Sequence, residues 1–302
     1  MIPSWRKIAE RTLPLEPLFG WRVRSRRLPG VAVLCYHGVR RDDSVRMAFE
    51  TIHVTAATLD AHCRVLARDC DPISLDDWRR YARGESELPA RPVLVTFDDG
   101  YRSVLTEAVP VLERHGVPAV VFVATGAVAR GQKFWYDAMA AERGEDAVEA
   151  AKDLPHDEWM MRVSRLDRTV AADDPHAPLL PEEVGRLSTN PLIEVGGHTS
   201  EHPILARASR VIQQAEIGRC AADVRRWTGR PMRAFAYPNG RPGRDFTAET
   251  RDLVHDAGVD HAFSTEPGIA PADGDALAHP RHVMTEAVSA SVLLHRLWRR
   301  WE

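Results

Sequence analysis

Apolar residues along the chain fall into short, nearly unbroken runs separated by longer stretches of mixed polarity. The runs are "VAVLCY" (31–36), "RPVLVTF" (91–97), "AVVFVAT" (119–125), "LIEVGG" (192–197), "RAFAYP" (233–238) and "VDHAFST" (259–265). Runs of this length without polar alternation predict strands buried on both faces. Between them, "SVLTEAVPVLERHG" and "ASRVIQQAEIGRCAADVRRWTG" carry helical spacing and stop at a glycine, a common C-terminal signal. Pro110 predicts that the first of these bends or restarts. Strands alternating with helices predict an α/β fold with a parallel sheet, open or closed into a barrel. From about residue 126 to 185 the pattern weakens into charged and Pro-rich pieces such as "KDLPHDEW" and "ADDPHAPLLPEE". That segment reads as an insertion with some helix and an exposed loop, not a separate domain. There is no internal repeat or low-complexity tract.

Composition narrows the function classes. A chain of 302 residues fits one large domain with extensions, and its 40 basic and 43 acidic residues nearly cancel, so no global field points to nucleic acid. Cys35, Cys63, Cys70 and Cys220 form no CxxC pair and suit a reducing compartment as ordinary buried thiols. The opening thirty residues have no continuous apolar stretch followed by a small-residue cleavage site, which predicts a cytoplasmic protein. The same segment places Trp5, Phe19 and Trp21 among seven Arg or Lys residues, and the C-terminal "LLHRLWRRWE" is similar. Both could lie against the inner membrane face, although solvated helices packing one aromatic face on the domain are the simpler explanation.

Candidate chemistry begins at "VLVTFDDGY" (93–101), where a core strand ends in two carboxylates, Asp98 and Asp99, before Gly100. A turn explains one Asp. Two adjacent charged carboxylates call for a cation, or for one of them to hold a proton. "EVGGHTSEHPIL" (194–205) places His198 and His202 four apart after another strand end, which on one helical turn would let both reach a single metal ion. A capped helix start at Thr199 or Ser200 explains that pair alone. Together with Asp99 they make two histidines and one carboxylate at strand ends, the edge where parallel α/β folds build sites. Asp99 then serves as a ligand and Asp98, off the metal, as a base.

At these motifs the chain resembles the polysaccharide deacetylase family, carbohydrate esterase family four, with its chitooligosaccharide deacetylase-like domain. "TFDDGY", which includes Tyr101, is similar to its first motif and "HTSEHP" to its second. The resemblance implies a distorted (β/α)7-type barrel: a single deacetylase domain over 30–285, with the 126–185 insertion after the third strand. A basic extension (1–29) and a C-terminal helix (286–302) flank it. It implies Asp98 as general base, and Asp99, His198 and His202 as ligands of a divalent ion, zinc first, with nickel or cobalt acceptable to the same donors. "FAYPNG" (235–240), which contains Tyr237, resembles a third motif but has Ala236 where many relatives carry an arginine that tethers the base; the Asn239 N–H keeps the oxyanion role. Arg281 in "HPRHVM" can replace that tether, as in a branch of the family that also carries "YPxG" and the early "YH", here Tyr36-His37.

The proton donor to the leaving group is open between His37 and His282, each near a strand end. His295 in "LLHRLW" resembles a late family histidine but sits in a helical, Trp- and Arg-rich pattern, and reads as a false match. "GQKFWYDAM" places Trp135 and Tyr136 where an aromatic face could stack on a sugar at the rim, and His37, Tyr101 and Tyr237 in the resembling motifs are the other residues expected to contact substrate. The implied activity is removal of N-acetyl groups from an aminosugar glycan or precursor, lipid-linked or nucleotide-linked. O-deacetylation or cyclic-amide hydrolysis on the same site, and non-catalytic glycan binding, are the competing readings.

Overall fold

In a computed structural model of the chain, which describes residues 15–299, each of the six apolar runs forms a strand of one sheet. Its strands are β1 (Gly30–Tyr36), β2 (Asp71–Pro72), β3 (Pro92–Phe97), β4 (Ala119–Val123), β5 (Ile193–Gly197), β6 (Ala234–Ala236), β7 (His261–Phe263), β8 (Ala270–Pro271) and β9 (His282–Val283). The order is β8-β1-β3-β4-β5-β6-β7, with β9 also on β1 and β2 on β3. Only the β1–β8 pairing is antiparallel. The segment 279–283 closes the ring: His279 bridges Phe263 in parallel, and His282 pairs with Leu34 of β1. Seven parallel strands (β1, β3 to β7 and β9) therefore go round, which is the distorted (β/α)7-type barrel expected.

Both faces of the strands are buried, and for different reasons. Val31, Val33, Leu94, Phe122, Ala234, Ala236 and Phe263 point inward and meet Leu75 and Trp78. Their neighbours Ala32, Leu34, Val93, Val95, Val121 and Phe235 point outward under the helices. A period-2 strand packed on both sides has no polar face to show, hence the unbroken apolar runs. The helices are α1 (Glu16–Arg24), α2 (Ala56–Asp69), α3 (Leu75–Ala82), α4 (Val109–His115), α5 (Thr125–Arg130), α6 (Trp135–Arg143), α7 (Glu145–Lys152), α8 (His156–Val163), α9 (Pro181–Leu187), α10 (Arg210–Thr228), α11 (Ala248–Asp256) and α12 (Ala290–Trp298). Pro110 lies in the first turn of α4, directly after a π-turn at Val104–Ala108, so the helix restarts there.

The insertion is more ordered than its composition suggests. Helices α5 to α8 occupy its first half and bury Phe134, Trp135, Met139, Val148, Trp159 and Val163 in a small core that Tyr101 joins from the barrel. At the ends of the described chain, α1 packs on α12, with Phe19 against His295 (ring centroids 4.8 Å) and Arg22 over Trp298 (4.4 Å). Trp21 stays 60% exposed. Trp5 and residues 300–302 lie outside the described residues. No helix among the described residues is long and apolar enough to cross a membrane. The four cysteines are free and buried.

Away from the strands' C-terminal ends, His261 and His279 share a hydrogen bond of 2.9 Å, with Trp78 against both rings. Burial holds them neutral, pushing His261 down to about 4 and His279 to about 3. Because the folded values are depressed, their contribution to stability is complete above the unfolded value near 6.5 and is lost as pH falls below it. Each should cost about 1.4 kcal/mol per pH unit in that window. Denaturant titrations at pH 7 and pH 5 should show the loss, and His279→Gln should make it shallower.

Candidate active site

The site forms where parallel strands end and loops begin. After β3 the Asp98 N–H donates to the Tyr36 carbonyl (2.8 Å), and the chain then turns through two left-handed residues, Asp99 (φ 73°) and Gly100 (φ 89°). Gly100 is needed twice over: a Cβ there would approach Val123 to 3.1 Å in a conformation that side chains rarely adopt. After β5 the backbone of Gly197 lies so close to Met232 and Cys220 that a Cβ would sit 2.2 Å from the Met232 sulfur. His198 then donates its N–H to the Val123 carbonyl (3.0 Å). Four of the non-glycine residues with positive φ, namely Asp99, Thr199, His202 and Asn239, belong to these strand-end loops. Left-handed non-glycine residues cost of order 1–3 kcal/mol each and cluster where a site dictates side-chain direction.

One expectation is corrected here. His198 and His202 do not share a helical turn; residues 198–204 are an irregular loop. Its shape comes from side-chain acceptors: Thr199 Oγ1 takes the His202 N–H (3.0 Å), and Glu216 on α10 takes the N–H groups of Ser200 (3.1 Å) and Glu201 (2.7 Å). The imidazoles converge all the same, with their Nε2 atoms 3.1 Å apart and each 3.5 Å from Asp99 Oδ1. An ion about 2.0–2.1 Å from each of three tetrahedral donors would set those donors roughly 3.3–3.4 Å apart. His198 Nδ1 donates to the Ala236 carbonyl (2.7 Å), which turns Nε2 toward Asp99, where it would ligate an ion once deprotonated. All three residues are buried, and two Nε2 atoms that face each other this closely cannot both carry protons. The donor set fits a divalent cation.

Electrostatics agree. Burial opposes charge on Asp99, but the His198 Nε2–H and the neighbouring histidines outweigh it and hold the carboxylate well below its ordinary range, while Asp99 and Asp98 overcome burial to push His198 up; a bound cation would take the place of that proton. Burial pushes His202 down to about 3, which keeps it neutral and able to ligate.

Asp98 has a different partner. Arg281, itself fully buried, donates from Nη1 to Oδ1 and from Nη2 to Oδ2, both at 2.7 Å, and is anchored by the Ser264 carbonyl (2.8 Å) and Thr96 Oγ1 (3.1 Å). Burial raises the cost of charge on Asp98; Arg281 and His198 more than offset it, and the carboxyl stays below its ordinary range. Cys35 Sγ lies 3.4 Å from Oδ2. Cys35, His37 and Asp98 also bring donor atoms within 4.8 Å of one another, but with the guanidinium already on Asp98 this second trio suits a proton path better than an ion.

Asp98, Asp99, His198, His202, His37 and Asn239 line one cleft of about 390 Å³. His37 Nδ1 and Asn239 Nδ2 are buried without a hydrogen-bond partner among the described residues. The Asn239 backbone N–H likewise has none among the described residues.

Other expected residues fall elsewhere. Tyr101 is fully buried and donates to Asp137 Oδ2 (2.9 Å), and Tyr237 stacks on Phe246 (3.7 Å) and donates to the Leu277 carbonyl (2.9 Å). Trp135 is 1% exposed, with its Nε1–H on the His202 carbonyl (3.1 Å), so it shapes the ligand loop and cannot stack on a sugar. Successive helical residues point about 100° apart, and it is Tyr136 that lines the cleft, with its ring 5.0 Å from that of His202. On β9 it is Val283 that lines the cleft, so His282, the preceding residue, faces the other way. His295 packs between α1 and α12, away from the cleft. Sequence reading missed Glu216, for which a buried acid on the inner face of a long helix was the available signal.

Residues 85–262 match the family model for polysaccharide deacetylases. The chain belongs to the polysaccharide deacetylase family. Among curated proteins it resembles the poly-beta-1,6-N-acetyl-D-glucosamine N-deacetylase of Escherichia coli K12, with 31% identity over 91 residues. That match spans 30% of this chain and only 13% of the relative's length. Among solved structures of the family's fold, the deacetylase PplD of Streptococcus pyogenes, in complex with acetate, superposes with a TM-score of 0.64 at 20% identity, covering 89% of this chain and 98% of that one. IcaB from Ammonifex degensii gives 0.63 at 22% identity, covering 89% and 97%.

Proposed function

We propose that this member of the polysaccharide deacetylase family is a metal-dependent carbohydrate N-deacetylase that releases acetate from an N-acetylated aminosugar held in the cleft. The observation that carries the reading is the convergence of Asp99, His198 and His202 beside a separately tethered carboxylate, Asp98. A divalent cation of the zinc class, held by the first three, supplies Lewis acidity at the acyl carbonyl when bound.

The chain's own groups account for the rest. Asp98, kept ionised by Arg281, accepts a proton from the attacking water as the O–C bond forms. The Asn239 N–H, presented by a left-handed backbone and without another partner among the described residues, donates to the developing oxyanion. His37, with a ring nitrogen within 4.8 Å of the Asp98 carboxylate, carries the proton onward to the sugar nitrogen as the C–N bond breaks. Acetate and a free amine result. Tyr136 and the Trp135 indole brace His202 from two sides and fix its ring against Asp99.

The named relative acts on poly-beta-1,6-N-acetyl-D-glucosamine, which supports an N-acetylglucosamine unit as the first substrate to try. Purified chain incubated with N-acetylglucosamine oligomers should release acetate and free amine in equal amounts. Chelation should abolish release, and added zinc, nickel or cobalt should restore it. Full activity after chelation, or acetate without amine, would overturn the reading.

A further inference from the structure

The wall of the cleft beyond the catalytic corner is cationic. Lys152 at the end of α7, Arg207 after the histidine loop, and Arg241 and Arg244 after β6 all line it. Their partners on the same wall neutralise them incompletely. Glu149 holds Lys152 at 2.6 Å, and Asp245 accepts the Arg241 backbone N–H with one oxygen (2.9 Å) and reaches Arg244 Nε only at 4.0 Å with the other. The exposed Arg241 guanidinium makes no ion pair among the described residues.

Asp153 is the informative group. It follows α7, its side chain is 60% exposed, and its carboxylate reaches across to guanidinia from two other loops, 3.3 Å from Arg207 and 3.9 Å from Arg244. Contacts this long and exposed contribute little and exchange readily. A carboxylate placed loosely between two arginines, next to a third with no ion pair, stands where an anionic group of a ligand would sit.

We propose that Arg207, Arg241 and Arg244 form a subsite for an anionic substituent, phosphate ester or carboxylate, on the aminosugar whose acetyl group reaches Asp98, with Asp153 as its displaceable intramolecular stand-in. The inference rests on the reading of the cleft as a sugar site and adds the charge class of the sugar. A phosphate or carboxylate accepts planar, paired N–H donors from guanidinium, and such charge-assisted bonds outweigh those to neutral hydroxyls.

Calorimetric titration of the full chain tests this without turnover, so failure of acetate release and failure of the subsite are separate results. N-acetylglucosamine 1-phosphate (the phosphate arm) and N-acetylmuramic acid (the carboxylate arm) are compared with neutral N-acetylglucosamine. At least one charged sugar should bind about tenfold tighter than the neutral one, and the arm that does so identifies the substituent. Arg241→Gln/Arg244→Gln should erase that advantage and leave neutral-sugar binding in place. Asp153→Asn should tighten the charged sugar several-fold by freeing two guanidinia. Equal affinities for charged and neutral sugars, or an advantage that survives the double substitution and therefore comes from elsewhere in the cleft, would overturn the proposal.

Discussion

Asn in place of Asp98 is expected to lower acetate release by about 10²–10⁴-fold, the range a positioned general base contributes, while the chain still takes up its metal ion. The separation follows from geometry. Asp99, His198 and His202 share their own close contacts, whereas both oxygens of Asp98 are committed to Arg281. Removing the charge of Asp98 therefore takes no donor from the trio. His198→Ala is the contrasting variant: it should lose metal and activity together, because Asp99 and His202 alone make a two-donor site. Metal content by elemental analysis, set beside kcat/KM for each variant, reads the difference. Near wild-type turnover in Asp98→Asn, or full metal occupancy in His198→Ala, would sink the assignment of roles.

Much of this arrangement was legible in the chain before any coordinates. Strands buried on both faces cannot alternate, so their unbroken runs stood out, and the strand-end motifs around Asp98 and His198 marked the edge of the sheet where the site lies. What was hidden followed from physics that is not local. The closing strand has two residues, His282 and Val283, next to Pro280, too short a run to show a period. The histidine loop looked helical because i, i+4 spacing is ambiguous, and its real shape depends on Glu216, a residue on another element. Trp135 and Tyr136 differ by one helical step, which spacing could not orient without knowing the face that α6 buries. The cationic wall draws residues from 152, 207, 241 and 244, so no charge run appears in the sequence. Arg281 was the exception: a distant residue that motif comparison located and that the fold brings onto both oxygens of Asp98.

That pair sets the last expectation, Arg281→Met. A fully buried carboxylate that loses the one guanidinium paired with it among the described residues should cost about 3–5 kcal/mol, because the desolvated charge keeps no ion-pair partner. The sign of the pH dependence should also reverse. In the native chain Asp98 titrates below its unfolded value near 3.9, so its contribution is present above that value and fades only as pH falls through the lower folded value. Without Arg281, burial is opposed only by the weaker attraction of His198 and His37, and should lift the folded value above the unfolded one. The variant should then be least destabilised near pH 4, where the carboxyl binds a proton, and lose stability as pH rises toward 7. Denaturant titrations of chelated protein at both pH values measure this, and a penalty that does not grow with pH would argue against an ionised Asp98. Asp98→Asn alone strands the opposite charge and should cost a similar amount. The double variant Asp98→Asn/Arg281→Met leaves no buried ion, so its loss should fall well short of the sum of the singles, while its activity stays as low as that of Asp98→Asn. Stability recovered without activity would separate the two duties of the pair: Arg281 keeps Asp98 charged in a dry place, and the charge itself does the chemistry.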